Sequence, residues 1–142
     1  MNDTDEYLPD MRPALIVWAE RLAPPVITAL LGISPTKSHV RGETNKWGVQ
    51  KEDGAWMFYG DRKNFATVAE CIDDFLSQFP QGIDQISEVP NVQCRMEVDI
   101  GYRENYPVVD LENRHLRLLA RVNGEFVTTL CDLSREPTNE PE

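Results

Sequence analysis

Strict alternation of apolar and polar residues between Val92 and Tyr102 is the strongest constraint on the fold of this chain. Polar residues or glycine separate six apolar ones, namely Val92, Cys94, Met96, Val98, Ile100 and Tyr102. A period of two places successive side chains on opposite faces of a β-strand. The pattern therefore predicts a long strand, with one face on a hydrophobic core and a polar face toward water or a partner.

A second strand is predicted at residues 14–18, an uninterrupted apolar run rich in β-branched and aromatic residues. Such a run is typical of a strand buried on both faces, and hence central in a sheet. Residues 25–31 are predicted to form a helix, because Pro25 suits its first turn and Gly32 suits the left-handed position after its end. Its predicted buried face consists of Val26, Ile27, Leu30 and Leu31.

A long loop and a β-hairpin are predicted to follow this helix. Residues 33–46 form the loop, and loops of that length usually have a function or are disordered. Residues 46–50 and 55–59 are short runs that contain aromatic side chains, and the dipeptide Asp53-Gly54 lies between them. Because Asp-Gly supplies the positive φ that tight connections need, we expect the two runs to pair as a hairpin.

Helical periodicity is strongest at residues 65–79, where apolar side chains lie three or four positions apart. Thr67 is a candidate cap for this helix, and Asn64 is an equally good one. Asp110 is predicted to cap another helix that extends to about residue 122. A last strand is predicted at residues 125–133.

The predicted order is strand, helix, two hairpin strands, helix, a short helix near residues 83–89, strand, helix and strand. This order, β-α-β-β-α-α-β-α-β, indicates an α+β fold with helices packed on one face of a mainly antiparallel sheet. We expect a single domain at residues 11–134. The polar segments 1–10 and 135–142 are predicted to be flexible tails, because they cannot bury enough apolar surface to offset the entropy of ordering.

The net charge of the chain is −10, and most of the excess lies in the predicted tails. Residues 1–10 contribute −4 and residues 135–142 contribute −2, which leaves −4 for residues 11–134. An acidic balance disfavours non-specific binding to nucleic acid or anionic membrane, whereas a basic protein partner is easier to accommodate. Because no apolar run resembles a signal peptide or a membrane span, a cytoplasmic protein is expected.

The cysteine and histidine residues show no spacing that predicts a metal site. Cys71, Cys94 and Cys131 each lie in an apolar pattern, so we expect buried free thiols. His39 is expected to be solvated, and His115 to be hydrogen-bonded and partly buried. Metal ligands usually come in close local spacings, and none occurs here, so no metal or other cofactor is expected.

No set of residues predicts catalysis, because a nucleophile needs a base and an orienting acid in reach. The chain has no nucleophile elbow. Two carboxylate pairs, Asp73 with Asp74 and Glu97 with Asp99, lie on predicted polar faces of a helix and a strand. Such carboxylates are expected to be solvated surface charges, and an enzyme therefore has no sequence feature in its favour.

One basic and aromatic segment is the candidate for a ligand site. Residues 37–51 hold four basic residues and one acidic residue, next to two tryptophans. Positive charge beside flat aromatic rings can bind phosphate or stack a base. The candidate ligand-binding residues are Lys37, Arg41, Lys46, Trp47 and Trp56. The alternative, which we favour, is that the tryptophans belong to the core and the lysines keep a loop soluble.

The apolar strand followed by residues 25–36 (PVITALLGISPT), then Arg41-Gly42-Glu43 and a tryptophan in the predicted hairpin, resembles a bacterial family, the domain of unknown function DUF4279. The likeness extends from about Ala14 to about Leu130. The resemblance implies a small cytoplasmic bacterial α+β protein, without an established activity, cofactor or catalytic residue. Small bacterial proteins of this kind are often considered immunity or accessory proteins, which act by binding other proteins.

Two functions therefore stay open. The preferred hypothesis is a non-enzymatic protein-interaction module, with an immunity-type inhibitor as one form of it. Contact is expected on the polar strand face or the outer helix face, through Gln93, Arg95, Glu97, Asp99, Glu70, Asp73 and Asp74. The alternative is a domain that binds a small anionic ligand or nucleotide through the basic and aromatic loop 37–56.

Overall fold

A central strand, β1 (Asp10–Ala19), organises the fold in the computed structural model, which describes residues 8–135. Antiparallel pairing joins β1 to β3 (Gly54–Tyr59) on one side and to β5 (Gln93–Tyr102) on the other. Leu15 and Val17 are fully buried, whereas the alternate residues Ile16 and Trp18 are only half-buried. The predicted central position of this strand is confirmed, but only one of its faces is completely covered.

The sheet has six strands, and the order along its main path is β2-β3-β1-β5-β6. The two edges are β2 (Lys37–His39) and β6 (Gly124–Asp132), and the short β4 (Lys63–Asn64) pairs with the start of β1. The pair β5–β6 is parallel, and the other pairs are antiparallel. The mainly antiparallel sheet is therefore confirmed.

Three helices cover one face of this sheet: α1 (Pro24–Leu31), α2 (Val68–Leu76) and α3 (Asn113–Arg121). A 3-10 turn at Asp84–Glu88 lies on the same side, where the prediction placed a short helix. Side chains from the helices form two buried clusters with the inward-facing residues of β1, β3 and β5. The predicted α+β class and order of elements are confirmed. Apart from residues 8–10 and 135, the predicted tails lie outside the described residues.

Helix α1 ends as predicted and begins one residue earlier, but it buries a narrower stripe. Its first two residues are prolines, and Gly32 follows it with φ +70°, donating its N–H to the Thr28 carbonyl at 2.9 Å. Ile27 and Leu31 are fully buried, whereas Val26 is 47% exposed. The prediction for Val26 was wrong because a helix of two turns covers the sheet mainly through residues four positions apart.

The predicted hairpin was wrong in its first strand, because β3 pairs with β2 rather than with residues 46–50. Gly54 is needed for close packing, not for a tight turn between these strands. A Cβ atom added at Gly54 would lie 2.1 Å from the Leu22 carbonyl oxygen. The long connection at residues 40–53 folds back on itself and projects from the end of the sheet. We call it the arm.

One of the two predicted helix caps is confirmed, and the other residue bonds the start of a different helix. The Thr67 side chain accepts the Glu70 N–H and caps α2, in agreement with one of the two predicted alternatives. Asp110 does not cap α3 as predicted, because its Oδ1 accepts the Ala69 N–H at the start of α2, at 3.1 Å. This contact forms because the chain before α3 runs beside α2, where the Val68 N–H bonds a carbonyl of that segment.

Candidate functional site

A buried histidine and a carboxylate form the arrangement closest to a catalytic pair. His115 is 3% exposed in the first turn of α3, and its Nδ1 accepts the Glu112 N–H at 3.1 Å. The proton of a neutral ring must then be on Nε2, which donates to Oδ1 of Asp73 at 2.8 Å. A carboxylate that orients a histidine in this way is one part of a catalytic triad.

The histidine, however, has no free position for a substrate. Nδ1 is occupied by the backbone of the helix cap and Nε2 by Asp73. The cavity beside the ring is about 10 Å³ and lined mainly by apolar side chains, so it is only about the size of one water molecule. The pair therefore ties α3 to α2. His115 is hydrogen-bonded as predicted, but it is buried rather than partly buried.

The two adjacent carboxylates of α2 are both paired within the chain. Asp73 also contacts Arg114 of α3, and Asp74 accepts from the Lys63 ammonium at 2.9 Å. Glu70 is exposed, and its backbone N–H is bonded to the Thr67 cap. Partner contact was predicted on this outer face of α2. Two of its three acidic side chains, Asp73 and Asp74, instead hold α2 to neighbouring elements.

The three cysteines are free, and two of them are buried as predicted. Burial raises the pKa of the Cys71 thiol to about 12 and that of Cys94 to about 12, so neither provides a thiolate near neutral pH. Cys131 is exposed, which contradicts the prediction. Its apolar neighbours in sequence are misleading because it lies near the end of an edge strand.

Trp56 and Trp47, grouped in the predicted ligand site, lie in unlike environments. Trp56 is fully buried in the core, and its Nε1 donates to Oγ1 of Thr28 at 3.1 Å. Trp47 is 75% exposed, and the Lys46 ammonium lies 4.5 Å from the centroid of its ring. Trp56 is therefore not accessible to a ligand, whereas the ring of Trp47 is exposed to solvent.

The turn that carries Trp47 is ordered by its own hydrogen bonds. Oδ1 of Asn45 accepts the backbone N–H of Trp47 at 2.9 Å and that of Val49 at 3.0 Å. Below this turn, the Gly42 N–H bonds the Lys51 carbonyl, and the Lys51 N–H bonds the Glu43 carbonyl. These bonds hold the tryptophan at the tip of the arm without burying it.

A broad groove separates the arm from the end of the sheet. Arg41 lies in this groove and pairs with Glu20 at 2.7 Å, so the arm is tied to the segment after β1. We call this groove between the arm and the end of the sheet the arm groove. Its lining includes Trp18, Val26, Arg41, Lys51, Asn91 and Gln93.

The face of the sheet opposite the helices, which we call the open face, carries the other predicted contact residues. Register with β1 places four residues of β5 on this face, namely Gln93, Arg95, Glu97 and Asp99. None of the helices α1, α2 and α3 covers this side of the sheet. Trp18, Met57 and Tyr59 are half-buried there, so the face combines charged and aromatic side chains. Trp18 and Gln93 also line the arm groove, so the two surfaces are continuous.

Some cations of the open face are neutralised within the chain. Arg62 contacts the carboxylates of Asp10 and Asp99. Arg95 contacts Glu97 and Glu125, and its guanidinium lies 5.4 Å from the centroid of the Trp18 ring. Two cations therefore meet four carboxylates, so the charge over β5 is mixed with a negative excess.

Two other cations of this face share one aromatic ring. The Arg12 guanidinium and the Lys37 ammonium lie 5.3 Å and 5.8 Å from the centroid of the Tyr59 ring. Across residues 8–135, neither cation forms an ion pair with a carboxylate. Lys37 is thus the only one of the five predicted ligand residues that lies on this face, and sequence reasoning missed Arg12 and Tyr59. Neither run alternates apolar and polar residues in the sequence, so only the pairing of β1 with β3 brings Arg12 to Tyr59.

The amino-acid sequence is matched by a known family model, that of the domain of unknown function DUF4279, over residues 11–133. The chain belongs to the DUF4279 family. The match extends from β1 to the end of β6, so the DUF4279 domain includes every strand and helix described above. Comparison of the chain with curated proteins and with solved structures found no match.

Two further observations bear on the chemistry of the DUF4279 domain. Within the described part of the chain, no group of three or more His, Cys, Asp or Glu side chains is placed to hold a metal ion. Among the helices at residues 8–135, none has the length and apolar character needed to cross a membrane.

Proposed function

We propose that this DUF4279 protein is a non-enzymatic module that binds a protein partner, with Trp47 as an anchor. The observation that carries the proposal is a tryptophan 75% exposed on a turn that Asn45 orders. Tryptophan is enriched among the few residues that dominate the affinity of protein interfaces. A turn that is already ordered loses little further conformational entropy on binding.

The surfaces next to the arm support the same proposal. The arm groove is continuous with the open face through Trp18, so an anchored partner would meet both. Of the two contact surfaces predicted from sequence, the polar strand face is the better candidate. Arg95, Glu97 and Asp99 lie on a face that none of α1, α2 and α3 covers, and their ion pairs are partly exposed. Asp73, in contrast, is needed to hold the buried ring of His115.

The charge of the chain supports a basic partner. A net charge of −10 raises the encounter rate with a basic protein and lowers it with an acidic one. The more specific proposal is an immunity-type inhibitor in the cytoplasm of a bacterium, whose basic partner loses its own activity when bound. An assay of the identified partner's activity, with and without the chain, distinguishes an inhibitor from a protein that only binds.

The experiment places a photo-crosslinking amino acid at position 47 of the full chain in cells of the source organism. Position 106 is the matched control, because Tyr106 is 79% exposed in the loop after β5. We expect one protein adduct from position 47 that position 106 does not give. The purified adduct protein is then titrated by calorimetry with the chain, with Trp47→Ala and with Tyr106→Ala.

The proposal expects Trp47→Ala to weaken binding of that protein by at least about tenfold, and Tyr106→Ala to leave it unchanged. Equal adducts from both positions, or an affinity that Trp47→Ala does not alter, would contradict it. Circular dichroism of both variants shows whether the fold is retained. A folded Trp47→Ala variant with full affinity removes Trp47 as the anchor.

A second candidate function, binding of a small anionic ligand, is favoured by Arg12 and Lys37 at the ring of Tyr59. An anion beside this ring would be attracted to both cations, and neither of them has a carboxylate partner within residues 8–135. Titration with inorganic phosphate and with a nucleoside monophosphate, followed by Tyr59 resonances, tests it. Lys37→Ala should abolish the shifts, and Lys46→Ala on the arm should preserve them. Unchanged resonances, or equal effects of the two variants, would refute this candidate.

A further inference from the structure

We propose that two copies of this chain associate edge to edge through their β6 strands, which pair antiparallel about Thr128. The two sheets then become one continuous sheet. This inference concerns the edge of the sheet farthest from β2 and the arm, and it does not depend on the proposed protein partner. Both arms remain accessible in such a dimer.

In the part of the chain that the structure describes, the outer side of β6 is a long, unprotected edge. The strand is nine residues long and pairs with β5 along its whole length. No strand within residues 8–135 pairs with its other side. Residues 126–131 include no charge and no proline, the two commonest devices that protect natural edges. Among residues 126–131, the N–H and C=O groups directed away from β5 have no strand partner within residues 8–135 and can pair with another strand.

The opposite edge is protected in two ways. Strand β2 is only three residues long and carries Lys37. The chain then leaves the sheet as the arm, whose inner bonds join Gly42 to Lys51 rather than to a further strand. A short strand with a lysine and the arm beside it opposes pairing through β2. The uncharged stretch of β6 at residues 126–131 has no such protection.

The occupant is a second copy because β6 is complementary to itself. Antiparallel pairing centred on Thr128 uses all nine residues and places Phe126 opposite Leu130, once on each side of the axis. Leu130 is 51% exposed and Phe126 is half-buried, so this pair covers apolar surface twice. The same register places Glu125 opposite Cys131 and Asp132 opposite Gly124, so no two carboxylates are directly opposed.

The charge of the whole chain opposes self-association only at long range. Two chains of net charge −10 repel each other, but at physiological ionic strength charges are screened beyond about 8 Å. At the edge itself, Glu125 is already paired with Arg95. Dimerisation is therefore expected to strengthen as salt is raised, the opposite of an interface held by ion pairs.

The first experiment measures the mass of the full chain by sedimentation equilibrium over a range of protein and salt concentrations. We expect a monomer–dimer equilibrium that shifts to dimer with added salt. Thr128→Lys places two like charges opposite each other and should weaken the dimer on the order of tenfold or more. Ser38→Lys introduces the same charge on β2 and should have no effect. A monomer at every concentration, or equal effects of the two lysines, would overturn the proposal.

The second experiment tests the register and does not depend on the folding of the lysine variant. In a Cys131→Ser background, Thr128→Cys places two thiols on neighbouring Cα atoms about 5 Å apart, within disulfide reach. Leu130→Cys is the matched control on the same face, since its two copies lie about 13 Å apart along the strand. Mild oxidation should give a covalent dimer with Thr128→Cys only. Equal cross-linking of both variants, or none in either, would reject pairing about Thr128.

Discussion

The two faces of the sheet use aromatic side chains for different purposes. On the helix-covered face, Trp56, Phe75 and Phe79 are buried, and Phe75 and Phe79 pack with ring centroids 5.2 Å apart. On the open face, Trp18 and Tyr59 are half-buried, and cations lie over their rings. The first arrangement excludes water and stabilises the fold. The second leaves aromatic surface partly exposed and contributes less to stability.

The largest expected difference in unfolding free energy is between the variants Trp56→Ala and Trp47→Ala. Trp56→Ala removes a fully buried side chain and its hydrogen bond to Thr28, and should lower the free energy of unfolding by about 3–5 kcal/mol. Trp47→Ala removes an exposed side chain and should change it by less than about 0.5 kcal/mol. Urea denaturation followed by circular dichroism measures both. Similar losses for the two variants would mean that the arm contributes to the core.

An intermediate effect is expected at the tie between α2 and α3. Asp73→Ala leaves the buried Nε2–H of His115 without its partner and should cost about 1–3 kcal/mol of stability. Glu125→Ala removes an exposed ion pair with Arg95 on the open face and should cost less than about 1 kcal/mol. Thermal denaturation of the two variants compares the faces directly. A larger loss for Glu125→Ala would contradict the assignment of stability to the helix-covered face.

A pH-dependent effect is expected from Cys94. Burial raises the pKa of its thiol from 9.0 to about 12, so the folded state keeps the proton that the unfolded state releases above pH 9. The unfolded state then binds fewer protons, and stability falls as pH rises from 9 toward 12. At pH 10 this loss is about 1.4 kcal/mol.

The measurement compares the unfolding free energy at pH 8 and pH 10 in the original chain, Cys94→Ala and Cys131→Ala. The pH-dependent loss should shrink in Cys94→Ala only, since Cys131 is exposed.

A thiol reagent gives the smallest and simplest comparison: one cysteine should react in the folded chain and three after denaturation. Rapid reaction of Cys94 in the native state would show that the helix-covered face opens to solvent.

Much of the fold was predictable because its signals are local. Alternation at residues 92–102 follows from the geometry of one strand, and it correctly placed Arg95 and Glu97 on one polar face. Proline and glycine at the ends of α1 act through their own backbone dihedrals, so its limits were predicted within one residue. Membership of the DUF4279 family was likewise predicted from local motifs, and the family match confirms it.

The candidate site was much less predictable, because it depends on which strands are neighbours. The grouping of Lys37 with Trp47 and Trp56 followed from their proximity in sequence, whereas the structure places these residues on the open face, the arm tip and the core. Arg12 meets Lys37 at Tyr59 only because β1 and β2 both flank β3. A pairing of this kind is a tertiary contact, and no local pattern determines it.

The sequence by itself determined the type and order of the elements, the polar face of β5 and the family, because dihedral preferences and periodicity act within a few residues. Only the tertiary structure decided that Asp110 accepts the Ala69 N–H of α2, that Asp73 holds His115 and that Cys131 is exposed at an edge. Each of these outcomes depends on a partner distant in sequence, or on the lack of a neighbouring strand. Packing of the whole sheet decides such contacts.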